Sequence, residues 1–183
     1  MDTADMDRAE LEARSERLIG QRLAGVRYYE LAALEAADRQ LPEPQWSRDP
    51  SFDSLDLGLT LTFDDASVCT ATWASDFGCY GIALDWAELQ DSRRVRCLDV
   101  ATASRWQPLL GQRVHASTIR WAEPERGAPL LPLDCELEFE RGAVVIVSAH
   151  EVMPQGDRCS GTDHITVFFD RATAATHRAG PER

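Results

Sequence analysis

A chain of 183 residues with 44% hydrophobic content can fill the core of one domain, and its formal charge of −12 argues against direct binding to nucleic acid or an anionic membrane. All 19 basic residues are arginine and asparagine is also absent, which excludes Schiff-base and PLP-lysine chemistry, a Walker-type phosphate loop and N-glycosylation. The missing A-rich codons beside abundant Ala and Arg point to a GC-rich, bacterial coding sequence. No apolar run approaches the ~20 residues of a membrane span, and the acidic start Met1-Asp2-Thr3-Ala4-Asp5 lacks the apolar segment of a secretory signal. Cys69, Cys79, Cys97, Cys135 and Cys159 are widely spaced and form no Cys-x-x-Cys pair, so reduced, mostly buried thiols in a cytoplasm are expected.

Residues 7–19 read as a helix, with Asp7 and Glu10 at capping-box spacing and Gly20 as a stop. Its apolar stripe of Leu11, Leu18 and Ile19 is thin, which places it at the surface. The pattern turns to strand over 21–31. The Ala-rich stretch 32–37 suits a short helix, and Pro42, Pro44 and Pro50 mark 41–54 as loop. Leu57, Leu59, Leu61 and Phe63 alternate with polar or small residues as a second strand. Asp64-Asp65-Ala66-Ser67 is a turn, and strands follow over 68–73 and 79–86. Residues 87–98 read as a polar connection. Residues 102–108 read as a helical turn with a capping hydroxyl and a packing Trp106. A strand over 113–121 and a Pro/Gly loop come next.

The clearest stretch is 133–152. Leu133, Cys135, Leu137 and Phe139 alternate with Asp134, Glu136, Glu138 and Glu140, a period of two that assigns each set to its own strand face. Arg141-Gly142 interrupts the pattern and Val144-Val145-Ile146-Val147 follows. A hairpin with a two-residue loop is expected, pairing Phe139 with Val144 and Leu137 with Ile146. After a loop over 154–161 come a strand over 165–169 and a terminal helix over 171–177.

Leu18-Ile19-Gly20-Gln21-Arg22-Leu23 is echoed by Leu109-Leu110-Gly111-Gln112-Arg113-Val114, and the element pattern after each is the same. One domain over 1–183 is therefore expected, with an internal repeat at about 18–86 and 109–170. The fold class is mainly β. Two related four-stranded antiparallel units form a sandwich or barrel-like body, with an N-terminal helix and a short C-terminal helix, because a half-apolar four-stranded sheet needs a partner layer.

No Gly-x-Ser-x-Gly, Ser-x-x-Lys or His-Glu-x-x-His occurs, so no catalytic residue and no cofactor are assigned. His150, Cys159, Asp163 and His164 carry metal-ligand chemistry, but their spacing fits no zinc motif and no metal site is assigned. Trp73, Tyr80, Trp86, Trp106 and Trp121 fall near strand ends, where aromatics line the mouth of a small-molecule-binding barrel or pack a rim. The acidic row Asp134, Glu136, Glu138 and Glu140 is the candidate partner-binding face. Its chemistry fits a basic protein partner, as for a cytoplasmic bacterial immunity protein blocking a basic toxin, and a small-molecule-binding β-protein is the alternative.

Overall fold

A computed structural model describes residues 8–31, 46, 49–75, 80–89, 94–103, 105–123, 127, 129–152 and 158–178, without the side chains of 158, 159 and 178. Helix α1 (Arg8–Glu16) leads to β1 (Leu23–Leu31), β2 (Phe52–Leu55), β3 (Gly58–Phe63), β4 (Val68–Ala74), β5 (Gly81–Asp85) and β6 (Val95–Asp99). A 3-10 turn (Gln107–Leu109) precedes β7 (Val114–Ala122), β8 (Leu131–Phe139), β9 (Val144–Ser148), β10 (His150–Val152), β11 (Arg158–Ser160) and β12 (Ile165–Phe168). Helix α2 (Arg171–Arg178) closes the series.

The strands form two five-stranded antiparallel sheets packed together, in the orders β5-β4-β3-β1-β6 and β2-β12-β9-β8-β7, and a small β10-β11 hairpin. The two expected four-stranded units are β1-β3-β4-β5 and β7-β8-β9-β12. Each gains a fifth strand from a stretch without strand periodicity: β6 lies in the expected polar connection and β2 in the expected loop. Strand β11 falls in the loop expected over 154–161. The predicted short helix at 32–37 and the capping Asp7 lie outside the described residues.

The inner faces meet in one core. It holds Val26, Leu59, Leu61, Phe63 and Ile82 from the first sheet and Leu137, Phe139, Val145, Val147 and Val167 from the second. Alternation along β3 and β8 sends every second side chain there. Gly81 packs close against Pro132 of the other sheet, and a Cβ on it would lie 2.9 Å from Pro132 Cδ.

Helix α1 ends at Glu16, short of the expected 19, and residues 17–20 form a turn. Leu11 in the helix and Leu18 in the turn are fully buried while Ile19 is 48% exposed, so the segment is more deeply seated than its thin stripe suggests. The helix bridges edge strands β5 and β7. Arg14 Nη1 donates to the Leu84 carbonyl at 2.7 Å, and the Ser15 and Ser117 hydroxyls bond at 2.6 Å.

Strands β5 and β6 occupy opposite edges of the first sheet. Thr70 Oγ1 donates to the Ala87 carbonyl at 2.6 Å and Arg27 pairs with Glu88, which places the segment after β5 over β4 and β1. Buried Thr60 bonds Thr70 at 2.7 Å and donates to Tyr29 Oη at 3.3 Å.

The β8–β9 hairpin departs from the expected register by one residue. Leu137 pairs with Val145 and Glu136 with Ile146, and Phe139 N–H donates to the Ala143 carbonyl at 2.8 Å. The loop therefore has three residues, Glu140, Arg141 and Gly142. Gly142 N–H bonds the Phe139 carbonyl, and Gly142 is left-handed at φ 81°, which is a type I turn with a G1 bulge. The shift turns Val145 and Val147 to the core and Val144, Ile146 and Ser148 to the acidic face. The β3–β4 hairpin repeats the design, with Ala66 at φ 65° in the place of Gly142.

The two similar hexapeptides meet in space. Gly20 N–H donates to the Val114 carbonyl and Gly111 N–H to that of Leu23, both at 2.8 Å. Leu23 N–H reaches the Gln112 carbonyl and Val114 N–H that of Gln21, both at 2.9 Å. Arg22 and Arg113 form the bridge between them. Each bond has its counterpart with the halves exchanged, and β1 and β7 carry bulges at corresponding positions.

Candidate interaction face

The outer face of the second sheet carries Asp134, Glu136 and Glu138 of the acidic row. Strand registers arrange it in rows. One row runs Arg120, Asp134, Ser148, Thr166, Ser54, and the next runs Thr118, Glu136, Ile146, Phe168, Phe52.

The four acidic residues do not make one exposed line. Asp134 is 0% exposed, accepting from Arg120 Nε and from Ser148 Oγ. It belongs to the interior, because its neighbours in the row supply a cation and a hydroxyl and remove it from water. Glu136 and Glu138 stand half-buried, and both are held by Arg171 at the start of α2. Arg171 Nε donates to Glu136 Oε1 at 2.8 Å and Nη2 to Glu138 Oε2 at 2.9 Å. These bonds, Glu138 first, push the guanidinium pKa further above its ordinary value. Glu140 is in the turn, exposed, with no ion pair among the described residues.

Helix α2 explains why β9 is apolar on both faces. It covers a second cluster, Phe52, Val144, Ile146 and Phe168, with Ala174 fully buried against it. The His177 ring lies 5.1 Å from that of Phe52 and 5.8 Å from that of Phe168. Asp170 caps the helix: Thr173 N–H and Oγ1 each donate to its carboxylate at 2.7 Å, which holds its pKa below the usual value.

At the β2 edge, the Ser54 hydroxyl and His164 Nε2 are 2.7 Å apart. Burial lowers the His164 pKa, which favours the neutral ring beside this hydroxyl, but among the described residues no carboxylate bonds its other nitrogen. His150 Nδ1 faces Ser160 Oγ at 3.2 Å, and its carbonyl accepts from Thr166 Oγ1 at 2.6 Å. His150 and His164 thus engage separate hydroxyls. The Cys159 side chain lies outside the described residues, and among those described no three His, Cys, Asp or Glu side chains group around a metal position.

A second polar cluster ties the layers together, and sequence patterning gave no sign of it. Trp106 Nε1 donates to Tyr28 Oη at 2.5 Å, and Tyr28 Oη donates to Asp53 Oδ2 at 2.6 Å. Arg105 pairs with Asp53 Oδ1, donates to the Asp49 carbonyl at 2.6 Å and lies over the Phe169 ring. Burial raises the pKa of both Asp53 and Tyr28. Trp106 packs as expected, but it is itself the N-cap of the 3-10 turn, with no capping side-chain bond.

The other aromatics serve packing at separate places. Trp73 stacks edge-on with Tyr80, Trp86 lies between Phe63 and Arg17, and Arg8 covers Trp121. Buried Cys135 has its thiol pushed up to about 12 by desolvation, and Cys69 is raised for the same reason, so neither is a thiolate at neutral pH. Among the described residues no helix is long and apolar enough to cross a membrane. No protein-family model matches the chain, and neither a curated protein nor a solved structure does.

Proposed function

We propose that the protein is a non-enzymatic interaction protein that binds a basic protein partner on the outer face of its second sheet. Its concrete form is a bacterial, cytoplasmic inhibitor that occludes a basic toxin. The observation that carries this reading is the Glu136–Glu138 pair. The two carboxylates project from alternate positions of one strand and hold the chain's own Arg171 between them; the notched geometry suits an arginine, and one from outside has to displace Arg171, contrary to the open acidic row expected from the sequence. Exposed Glu140 extends the acidic surface past the strand end. The overall charge of −12 supports fast, steered encounter with a cationic surface.

The test is affinity capture from the host, then titration of the purified partner. The expected result is a stoichiometric basic protein whose affinity falls by about tenfold or more between low and high salt, and falls again in Glu136→Gln/Glu138→Gln. An affinity indifferent to both changes overturns the reading.

A further inference from the structure

We propose that the face beneath α2 is a groove for an amphipathic helix of the partner, and that α2 is its resident competitor. This rests on the reading above and says what the basic segment looks like.

The groove has an acidic end and an apolar floor. Glu136 and Glu138 form the end, and Phe52, Val144, Ile146 and Phe168 form the floor. Helix α2 touches it with one face only: Arg171 on the carboxylates, Ala174 on the floor and His177 against the two phenylalanine rings. These positions are three apart, so they align along one side of a helix. Ala172, Ala175 and Thr176 are exposed.

The occupant is weakly built for what it covers. Eight residues fall short of the ~12–15 at which an isolated helix becomes marginally stable. Its contact with four large apolar side chains comes from the Ala174 methyl and the His177 ring, with no large aliphatic side chain of its own. The Arg171 side chain is 56% exposed, so water competes for the carboxylates it holds. A partner helix carrying arginine, a small or apolar residue three positions on and a ring six positions on meets the same charge and the same floor. Recognition of a helix by a groove works through anchors of this spacing. Tethering gives α2 an effective concentration of about millimolar, so it masks the groove against weak ligands and yields to a longer or better-anchored helix.

The probe is a synthetic peptide with the sequence of residues 170–178, flanked by helix-favouring alanines and glutamates and read by fluorescence anisotropy against the full-length protein. Arg171→Ala removes the internal cation while the groove stays intact. The expected result is about tenfold tighter peptide binding to Arg171→Ala than to wild type, with binding lost when the first of the peptide's two arginines, the counterpart of Arg171, is replaced and weakened in Glu136→Gln/Glu138→Gln. Asp170→Ala, which loosens the same helix by removing its cap, should act in the same direction as Arg171→Ala. Equal binding by wild type and both loosened variants overturns the proposal, as does binding indifferent to the peptide's first arginine. If partner capture depends on Glu136 and Glu138 while Arg171→Ala tightens neither peptide nor partner, the basic-partner reading stands and the helix groove falls. If capture ignores Glu136 and Glu138, both fall.

Discussion

At single residues, the interior polar groups set the sharpest expectations. Tyr28 Oη stands between the Trp106 indole N–H and the Asp53 carboxylate. Tyr28→Phe strips a partner from both at once while leaving the ring. Unfolding by urea should show a loss of about 1–3 kcal/mol, the usual cost of buried groups left unsatisfied, and an unchanged midpoint would show that the bonds carry no net stability. His164 sets a pH dependence. Burial lowers its folded pKa below the ordinary 6.5, so the unfolded chain takes up a proton that the native state refuses. Its contribution to stability is intact above that ordinary value and declines as pH falls from it toward the folded pKa. Denaturation at about pH 7.5 and pH 5.5 should show wild type losing more stability on acidification than His164→Gln. Asp53 acts in the opposite sense. Burial raises its folded pKa, so its contribution falls as pH rises from the ordinary 3.8 toward the folded value.

At the level of elements, the paired hairpins offer an internal control. The same left-handed position is Gly142 in one and Ala66 in the other. A side chain there costs about 1 kcal/mol through contact between Cβ and the backbone. Ala66→Gly should therefore raise the melting temperature and Gly142→Ala lower it, with free-energy changes of similar size. Matching signs for the two substitutions would refute the shared geometry. The same turn shows where sequence legibility ends. Strand β8 is readable because its core-facing residues are apolar and the alternate ones are acidic. Strand β9 is apolar on both faces because α2 covers what the core does not, so its periodicity could not reveal which valines point inward. Arg141-Gly142 looks like a two-residue turn, but that turn needs two left-handed residues, whereas the observed one needs a single residue, Gly142. Strand β2 was hidden because Phe52 faces α2 while Asp53 faces Tyr28 and Arg105, an order that no simple alternation describes. Asp134 does share a face with Glu136 and Glu138. Only the sheet partners Arg120 and Ser148, invisible to periodicity, make it an interior residue.

For the molecule as a whole, the contact between sheets is the feature to perturb. Gly81 in β5 lies against Pro132 in β8, and an added methyl would approach the Pro132 ring at 2.9 Å and its carbonyl oxygen at 3.2 Å. Gly81→Ala must push the layers apart or bend an edge strand. Calorimetry should record a destabilisation of about 1–3 kcal/mol, the range for overpacking, and a neutral result would mean that the layers slide freely. Composition and repeated pattern sufficed to place two related sheets face to face, because burying an apolar face is a demand that every strand makes alike. They did not show that the hexapeptides at the start of each half bond to one another, since a repeat in sequence carries no information about where its copies meet. The two sheets are also unequal debtors in time. Strand β2 emerges among the first third of the residues, yet its ladder partner β12 is among the last to be synthesised. A nascent chain halted before Ile165 holds Phe52 and Leu55 without the strand that shields them. Translation thus leaves a sticky segment waiting on the ribosome's final residues, where a chaperone or a misplaced neighbour has its opportunity.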